Sequence, residues 1–430
     1  MRFKIKIIYY WLQIHFAPKL QSRKAIEAFQ VKRMNRFAFK TLIRSVFYQP
    51  YFKANKFNWN EVPQISKPVF MAEFNLINTK GIKLNDAMQV AIESEKSRNF
   101  KNNLNGITVG LSTGTSGKRG LFLVSENEKA HWVALVISRV IRPKLFKKQK
   151  IAFFLRANSN LYSSIESSLF EFKYFDIFKP LEELLEELNA YQPGILASQP
   201  SILMDLALAQ KNGVIHISPI QIISFAEVLH DNDKEIISSI FNTEITEVYQ
   251  CTEGFLGVSC KYGSIHLNED FIRFDKEWID ENKFYPIITD FSRSSQPVVK
   301  YKLNDVLEIK KEACGCGSKF IAIEKIIGRD DDILNFNGIK VYPDLIARKI
   351  AMHTDSFQQY EIEQTGAKEL CINIACDSTD FESNKTVFIS ILNELFKGFG
   401  ITEIHYQFES KIATNKGNKT RKIKCLYHEN

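Results

Sequence analysis

This chain of 430 residues has no long apolar run. A helix that crosses a bilayer needs about 20 apolar residues in succession, so no transmembrane segment is expected. Residues 1–17 start basic and turn apolar, as a signal peptide does. Gln13 and His15 break the apolar stretch, and Pro18 follows it. The segment therefore reads as a helix packed on the protein, ahead of export or of contact with a membrane surface. Cysteine is scarce: seven residues are too few for a disulfide scaffold. Four of them lie between Cys251 and Cys316, which points to a metal site in a reducing compartment and a cytoplasmic protein. Neither charge sign dominates. Lys and Arg number 57 against 49 Asp and Glu, a surplus of +8. That surplus suits small polyanions such as nucleotides, and no nucleic-acid partner is expected from it. Repeats and low-complexity linkers are missing. With 45% hydrophobic and 25% charged residues the chain has the balance of a folded protein. Its length exceeds what one core serves, so two or more domains are expected.

Residues 18–60 interleave Lys19, Arg23, Lys24, Lys32, Arg33, Arg36, Lys40 and Arg44 with Phe29, Phe37, Phe39, Phe47, Tyr48 and Phe52. A spacing of three to four predicts amphipathic helix, with a nucleic-acid arm as the rival reading. Beyond residue 106, strand-like runs (Ile151–Leu155, Ile220–Phe225, and Glu247–Tyr249 after Ile245) alternate with helical ones (Glu126–Ile141, Pro180–Tyr191). Such alternation predicts an α/β body with a largely parallel sheet. The last hundred residues read as a small α+β unit: strand 370–375, helix 386–397, strand 403–408. The expected division is a large domain over 1–328 and a smaller, mobile C-terminal domain over 329–430.

Gly110-Leu-Ser-Thr-Gly-Thr-Ser-Gly-Lys-Arg-Gly120 packs four glycines and four hydroxyl residues into eleven positions. Glycine lets backbone N–H groups approach a phosphate, hydroxyls add donors, and Lys118 or Arg119 adds positive charge. A strand-like Ile107–Val109 precedes the loop, and Ser125-Glu-Asn-Glu128 after it approximates a capping box. The Walker pattern fails, because Ser112 stands where its first glycine belongs and Arg119 where its hydroxyl belongs. Taken alone the loop is either a phosphate cradle or a surface turn.

Cys260, His266, Cys314 and Cys316 form a second constellation. Three thiols and one imidazole are a common closed set for structural Zn²⁺, although Cys-x-Cys is tighter than the usual spacing. Such a site would staple a subdomain over about 250–320. The alternative is a group of free buried cysteines with a surface histidine. Cys251 is a fifth candidate. His131 and Trp132 could line a pocket or the core, and Asn158 or Asn160 could touch a ligand at the end of an apolar run.

The loop at 112–120 resembles the ATP-phosphate loop of the adenylate-forming enzymes, which include acyl-CoA synthetases and phenylacetate-CoA ligases. Further motifs follow in that family's order. Ser224–Leu229 resembles its adenine-side strand, and Tyr249-Gln-Cys-Thr-Glu253 its Y-x-x-T-E segment. Asp305 stands at the place of its ribose-binding aspartate. Gly328-Arg-Asp-Asp-Asp332, with Gly338 and Pro343, is similar to its hinge. The resemblance spans about 105–425 and is nearest to the phenylacetate-CoA ligase and coenzyme F synthetase-like branch, which includes capsule-cluster proteins. A cysteine and a histidine ahead of a C-x-C-G belong to that branch too.

The resemblance implies an AMP-forming acid–thiol ligase of the two-domain adenylate-forming fold. ATP, Mg²⁺ and coenzyme A would be its cofactors, with structural Zn²⁺. Ser112, Thr113, Gly114, Thr115, Ser116, Gly117 and Lys118 would hold the β- and γ-phosphates. Glu227 and Tyr249 would lie on the adenine side, Thr252 would contact the α-phosphate, and Glu253 would coordinate Mg²⁺. Asp305 and Arg329 would hold the ribose. The family's catalytic lysine lies in a Gly-Lys-x-x-Arg pattern. If Gly417 and Arg421 keep that register, Asn418 takes its place. A shift of one residue presents Lys419, the preferred candidate, with Lys416 on the other side. The expected partners are a small carboxylic acid and a thiol, from coenzyme A or a carrier protein; a homodimer is compatible with this. The rival from another class is a non-catalytic nucleotide-binding homologue in a polysaccharide or secondary-metabolite pathway.

Overall fold

The structure, a computed structural model, describes residues 3–18, 20–97, 102–111, 120–141, 148–155, 170–351, 360–376, 380–410 and 422–427. The chain opens with helices α1 (Phe3–His15) and α2 (Arg23–Lys40). Ser22 Oγ accepts the Ala25 N–H at 3.1 Å and starts α2. The helical reading of 18–60 holds only to Lys40. From there the chain tightens into 3₁₀ turns, Leu42–Arg44 and Val46–Tyr51. The buried residues Leu42, Ser45 and Tyr48 recur every third position, the period of that helix. A hairpin, β1 (Phe52–Lys53) and β2 (Lys56–Phe57), follows, then α3 (Lys67–Ala72), α4 (Phe74–Ile77) and α5 (Leu84–Ser97).

A three-stranded sheet comes next: β3 (Asn103–Leu104), β4 (Ile107–Leu111) and β5 (Leu121–Val124). Its central and last strands enter and leave the glycine-rich loop. Gly110 pairs with Phe122, and a Cβ on it would lie 1.9 Å from the Phe122 ring. Only glycine permits that approach. Helix α6 (Glu126–Arg139) starts at the expected capping box: Glu128 accepts the Ser125 N–H at 2.7 Å, and Ser125 Oγ accepts the Glu128 N–H at 3.4 Å.

The body is one sheet of twelve strands. Its parallel half contains β6 (Gln149–Leu155), β7 (Phe170–Asp176), β8 (Ile195–Ser198), β9 (Gln221–Phe225) and β10 (Ile245–Gln250), in the order β7-β6-β8-β9-β10. Helices α7 (Leu181–Tyr191), α8 (Pro200–Lys211) and α9 (Asp231–Phe241) lie between these strands in sequence. In α7 the repeat LEELLEEL buries Leu184, Leu185 and Leu188, the apolar stripe of an amphipathic helix. At β10 the sheet changes sense. Strands β11 (Phe255–Ser259), β12 (Ile265–Leu267), β13 (Ile272–Trp278), β14 (Lys283–Asp290), β15 (Val298–Lys302), β16 (Asp305–Ile309) and β17 (Ala322–Arg329) are antiparallel. The α/β class is as expected, but the parallel sheet is less than half of the whole.

The last strand of this sheet runs one residue past Gly328. Beyond it lie the hairpin β18 (Leu334–Phe336) and β19 (Ile339–Val341), α10 (Pro343–Ala351), β20 (Tyr360–Gly366), β21 (Glu369–Ile374), α11 (Phe381–Gly398), β22 (His405–Glu409) and β23 (Ile423–Cys425). Four of these strands form a separate sheet, β22-β21-β20-β23. A separate core that includes Leu334, Ile346, Ile362, Ile372, Phe388, Leu392 and Phe396 fills this unit. Helix α11 begins five residues before the expected Thr386. Its first five residues, Phe381 to Lys385, include a single apolar side chain and so gave no apolar periodicity; Thr386 Oγ1 donates back to Glu382 O at 2.9 Å. Lys422 Nζ meets the buried Asp233 of α9 at 2.8 Å and ties the unit to the body. Among the described residues no helix is long and apolar enough to cross a membrane.

Candidate active site

The parallel strands end where the sheet reverses, the edge at which open α/β sheets bind ligands. Thr252 and Glu253 occupy the turn between β10 and β11, where Cys251 N and Gly254 N each donate to the other residue's carbonyl. This turn lines a small cleft together with Gly120, Lys67, Arg293 and Tyr301. Gly120 directly follows the glycine-rich loop, so Thr252 and Glu253 stand beside the point where that loop rejoins the fold. Residues Ser112, Thr113, Gly114, Thr115, Ser116, Gly117 and Lys118 lie outside the described residues, as do Asn158, Asn160, Lys416 and Lys419.

Glu253 Oε1 accepts the Tyr301 hydroxyl proton at 2.8 Å. Burial and the neighbouring carboxylate push the Tyr301 pKa far up, so the phenol stays a donor. Arg293 brings a guanidinium to the same cleft, and its Nε is buried without a hydrogen-bond partner among the described residues. An orphaned buried donor in a cleft fits an anionic ligand. Asp290 lies just behind the turn: a Cβ on Gly254 would be 3.1 Å from its Oδ2. Burial raises the Asp290 pKa to about 6, against the lowering effects of the Ser292 hydrogen bonds and the Arg293 charge.

A second group adjoins this one. The Tyr249 hydroxyl donates to Asp305 Oδ2 at 2.7 Å, and Arg329 Nε lies 3.5 Å from Asp305 Oδ1. Asp305 and Arg329 are direct cross-strand partners on β16 and β17. Burial disfavours the Arg329 charge, but Asp305, Asp332 and Glu253 outweigh it and hold its pKa above the ordinary value. The two carboxylates, Glu253 and Asp305, thus act on one guanidinium. Tyr249 itself is buried, with its hydroxyl committed to Asp305. Glu227 follows β9, and its carboxylate accepts the Ser201 N–H at the start of α8, 3.2 Å away. His131 packs between the rings of Tyr10 and Phe271, while Trp132 Nε1 donates to Gln250 at 3.2 Å.

The four metal candidates converge. The ligand atoms of Cys260, His266, Cys314 and Cys316 all lie within 4.8 Å of one another. Cys260 and Cys314 sulfurs are 3.5 Å apart, and Cys316 Sγ is 3.2 Å from His266 Nε2. His266 Nδ1 faces the Phe320 carbonyl at 3.3 Å, the outer contact that aims a metal-binding imidazole. Backbone N–H groups of Tyr262 and Ser318 each donate to a cluster sulfur at 3.4 Å. Gly317 holds φ at +81°, which lets the Cys-x-Cys turn close. This donor set and spacing fit a tetrahedral soft-metal site. Cys251 does not belong to it; burial pushes its thiol pKa up.

Sequence reasoning missed Arg293, Lys67 and Tyr301. Tyr301 lies four residues before Asp305, between Lys300 and Lys302, where strand alternation turns it to the opposite face from both. Nothing local marks Lys67 or Arg293.

No family model matches the chain. Protein CapK of Staphylococcus aureus is 25% identical over 280 residues, which are 64% of this chain and 61% of that protein. A phenylacetate-coenzyme A ligase of Pseudomonas putida is 22% identical over 266 residues, 55% of this chain and 58% of the ligase. An indoleacetate–lysine synthetase of Pseudomonas savastanoi is 26% identical over 219 residues, half of each chain. The chain thus matches less than two thirds of the length of these relatives. A solved 2-hydroxyisobutyryl-CoA ligase in its postadenylation state superposes with a TM-score of 0.68 at 13% identity, over 95% of this chain and 90% of that one. The fold is that of the adenylate-forming enzymes. In sequence the chain is similar to CapK and to phenylacetate-coenzyme A ligases over part of their length.

Proposed function

We propose that this protein is an ATP-dependent ligase that activates a carboxylic acid as an acyl-adenylate and passes the acyl group to a thiol, most simply that of coenzyme A. The observation that carries the reading is the shared cleft: Thr252 and Glu253 line it beside Gly120, at the foot of the phosphate loop. In the first step an oxygen of the acid attacks the α-phosphorus of ATP, and the bond to pyrophosphate breaks. Two anions must meet, so the site has to supply cations and donors. Ser112 to Lys118 are assigned to the β- and γ-phosphates and Thr252 to the α-phosphate. Asp305 and Arg329 are assigned to the ribose, with Tyr249 behind them and Glu227 on the adenine side. Glu253 would hold Mg²⁺, whose charge would offset that of the phosphates. Tyr301 orients this carboxylate, and Lys419 is the assigned catalytic lysine.

In the second step the acceptor sulfur attacks the acyl carbon, and AMP leaves with its phosphate oxygens. The separate sheet and core beyond Arg329 support a reading of 1–328 as body and 329–430 as lid, and a movement of that lid between the steps would keep water from the anhydride. Cys260, His266, Cys314 and Cys316 would hold a structural zinc that joins the β11–β12 region to the segment before β17.

The decisive experiment is a panel of carboxylic acids scored by pyrophosphate release with coenzyme A, with an amine such as lysine, or with no acceptor. Acid-dependent release together with thioester formation is expected. Amide formation instead would move the protein toward the indoleacetate–lysine synthetase type. ATP binding with no release for any acid would support the second reading, a nucleotide-binding homologue without catalysis, which the Asn418 register favours.

A further inference from the structure

The first 60 residues contain 13 Lys and Arg and a single acidic residue, Glu27; the other 370 contain 44 Lys and Arg against 48 Asp and Glu. All the excess positive charge of the protein therefore sits in this segment. Exposed apolar side chains gather there too. Of the 22 large hydrophobics exposed among the described residues, nine lie between Ile5 and Val46. Surface patches of this kind mark interaction sites.

Both features follow the helix period. On α1 and just beyond its end, Ile5, Ile8, Leu12 and Phe16 form one outward row, from 41% to 74% exposed. The opposite face of α1 is anchored: Lys6 Nζ binds Glu126 at 2.6 Å and the Tyr10 ring meets His131. Along α2 and the 3₁₀ turns, Val31, Phe39, Ile43 and Val46 are about half exposed. Exposed Lys24, Lys32, Arg36, Lys40 and Arg44 stand among them, and none makes an ion pair within the described residues.

We propose that this N-terminal helical layer docks the protein on an anionic lipid surface, with the aliphatic side chains in the headgroup–acyl boundary and the cations among the headgroups. Such pairing of an apolar row with unpaired cations is the chemistry of interfacial helices. The layer does not span. Thirteen residues of α1 cover about 20 Å, short of the roughly 30 Å hydrocarbon core. Two other occupants fit less well. Nucleic acid would satisfy the cations but leave Ile5, Ile8, Val31, Ile43 and Val46 in water, because aliphatic side chains offer no stacking surface. A second copy across a two-fold axis would set like charges face to face.

The test is co-sedimentation of the full chain with phosphatidylcholine vesicles, with and without phosphatidylglycerol, at low and high salt. Binding that needs the anionic lipid and weakens with salt is expected. Lys32→Glu, Arg36→Glu and Lys40→Glu should each lower it about fivefold or more. Ile8→Glu should lower it at both salt concentrations, with thermal unfolding of all four variants near that of the wild type. Equal binding to neutral vesicles, no binding at all, tighter retention of an oligonucleotide than of vesicles, or a dimer that Ile8→Glu disperses would each overturn the proposal.

Discussion

Asp305 faces Arg329 directly across β16 and β17, and the same carboxylate takes the Tyr249 hydroxyl proton at 2.7 Å. Three residues far apart in the chain, on β10, β16 and β17, thereby share one polar knot within the large sheet. Because Arg329 also feels Glu253, a change at Asp305 should reach the neighbouring cleft. Asp305→Ala removes the acceptor of the Tyr249 hydroxyl and one of the carboxylates beside Arg329. That should cost roughly 1–3 kcal/mol of stability. Nucleotide affinity, read by calorimetry, should fall about tenfold or more. An Asp305→Ala protein that binds ATP as the wild type does would remove Asp305 from the site.

Tyr301 has one visible task at the cleft, to donate to Glu253. Tyr301→Phe keeps the ring, which packs edge-on against Phe70 with centroids 5.2 Å apart, and deletes only the donor. The Mg²⁺ concentration for half-maximal pyrophosphate release should rise several-fold, with little change in unfolding temperature. An unchanged Mg²⁺ dependence would show that Tyr301 does not orient the carboxylate.

Arg293 offers the cleft a cation whose Nε has no partner among the described residues. Arg293→Met removes charge and fork together; Arg293→Lys restores charge alone. If the guanidinium receives an anionic substrate group, the methionine variant should lose about tenfold to a hundredfold in KM for ATP or for the acid, and lysine should recover part. Which KM moves identifies the anion. Equal KM values for both substrates in the methionine variant would make Arg293 structural.

Much of this was legible in the chain itself, for physical reasons. Ile151–Leu155 is a short apolar run rich in β-formers, and it lies in β6. Ser125 and Glu128 form their capping box because a helix start is a local event. The clustered Cys260, His266, Cys314 and Cys316 meet because few uses of such residues exist other than a shared centre. Pairing across distance was not legible. Alternation shows which face Tyr301 occupies but not that Glu253 waits there, and nothing in Lys325–Arg329 says that β17 pairs with both β12 and β16. The 3₁₀ path of Leu42–Tyr51 was hidden as well, since a period of three and one of 3.6 differ little over ten residues.

The Cys₃His cluster makes a prediction separable from the ligase reading. The purified protein should carry about one zinc per chain. Cys314→Ser should lose most of it and unfold at lower temperature, because three remaining ligands hold zinc poorly and the β11–β12 hairpin loses its tie to the segment before β17. A zinc chelator should lower the wild-type unfolding temperature and leave that of Cys314→Ser unchanged. Full zinc content in a variant lacking both Cys314 and Cys316 would refute the assignment.

His131 and Asp290 set opposing pH dependences. Burial, with the Arg33 charge, depresses the His131 pKa to about 4 against the pull of Asp270, from about 6.5 in an unfolded chain. The unfolded state then takes up a proton that the folded state refuses. The stabilisation is complete above pH 6.5 and is lost as pH falls toward 4. Asp290 behaves in reverse. Its folded value of about 6 exceeds the unfolded value near 3.9, so its contribution is present below pH 4 and is lost as pH rises through 6. The two shifts are similar in size and partly cancel in the wild type. Each variant should therefore expose the other residue. Relative to wild type, His131→Phe, which keeps a ring against Tyr10 and Phe271, should gain stability as pH falls from 7 to 4.5. Asp290→Asn should gain stability as pH rises from 4 to 6.5. Urea midpoints across that range read both differences. Parallel curves for wild type and His131→Phe would mean that the imidazole is not buried against α1, and the packing of the N-terminal helix on α6 would have to be redrawn.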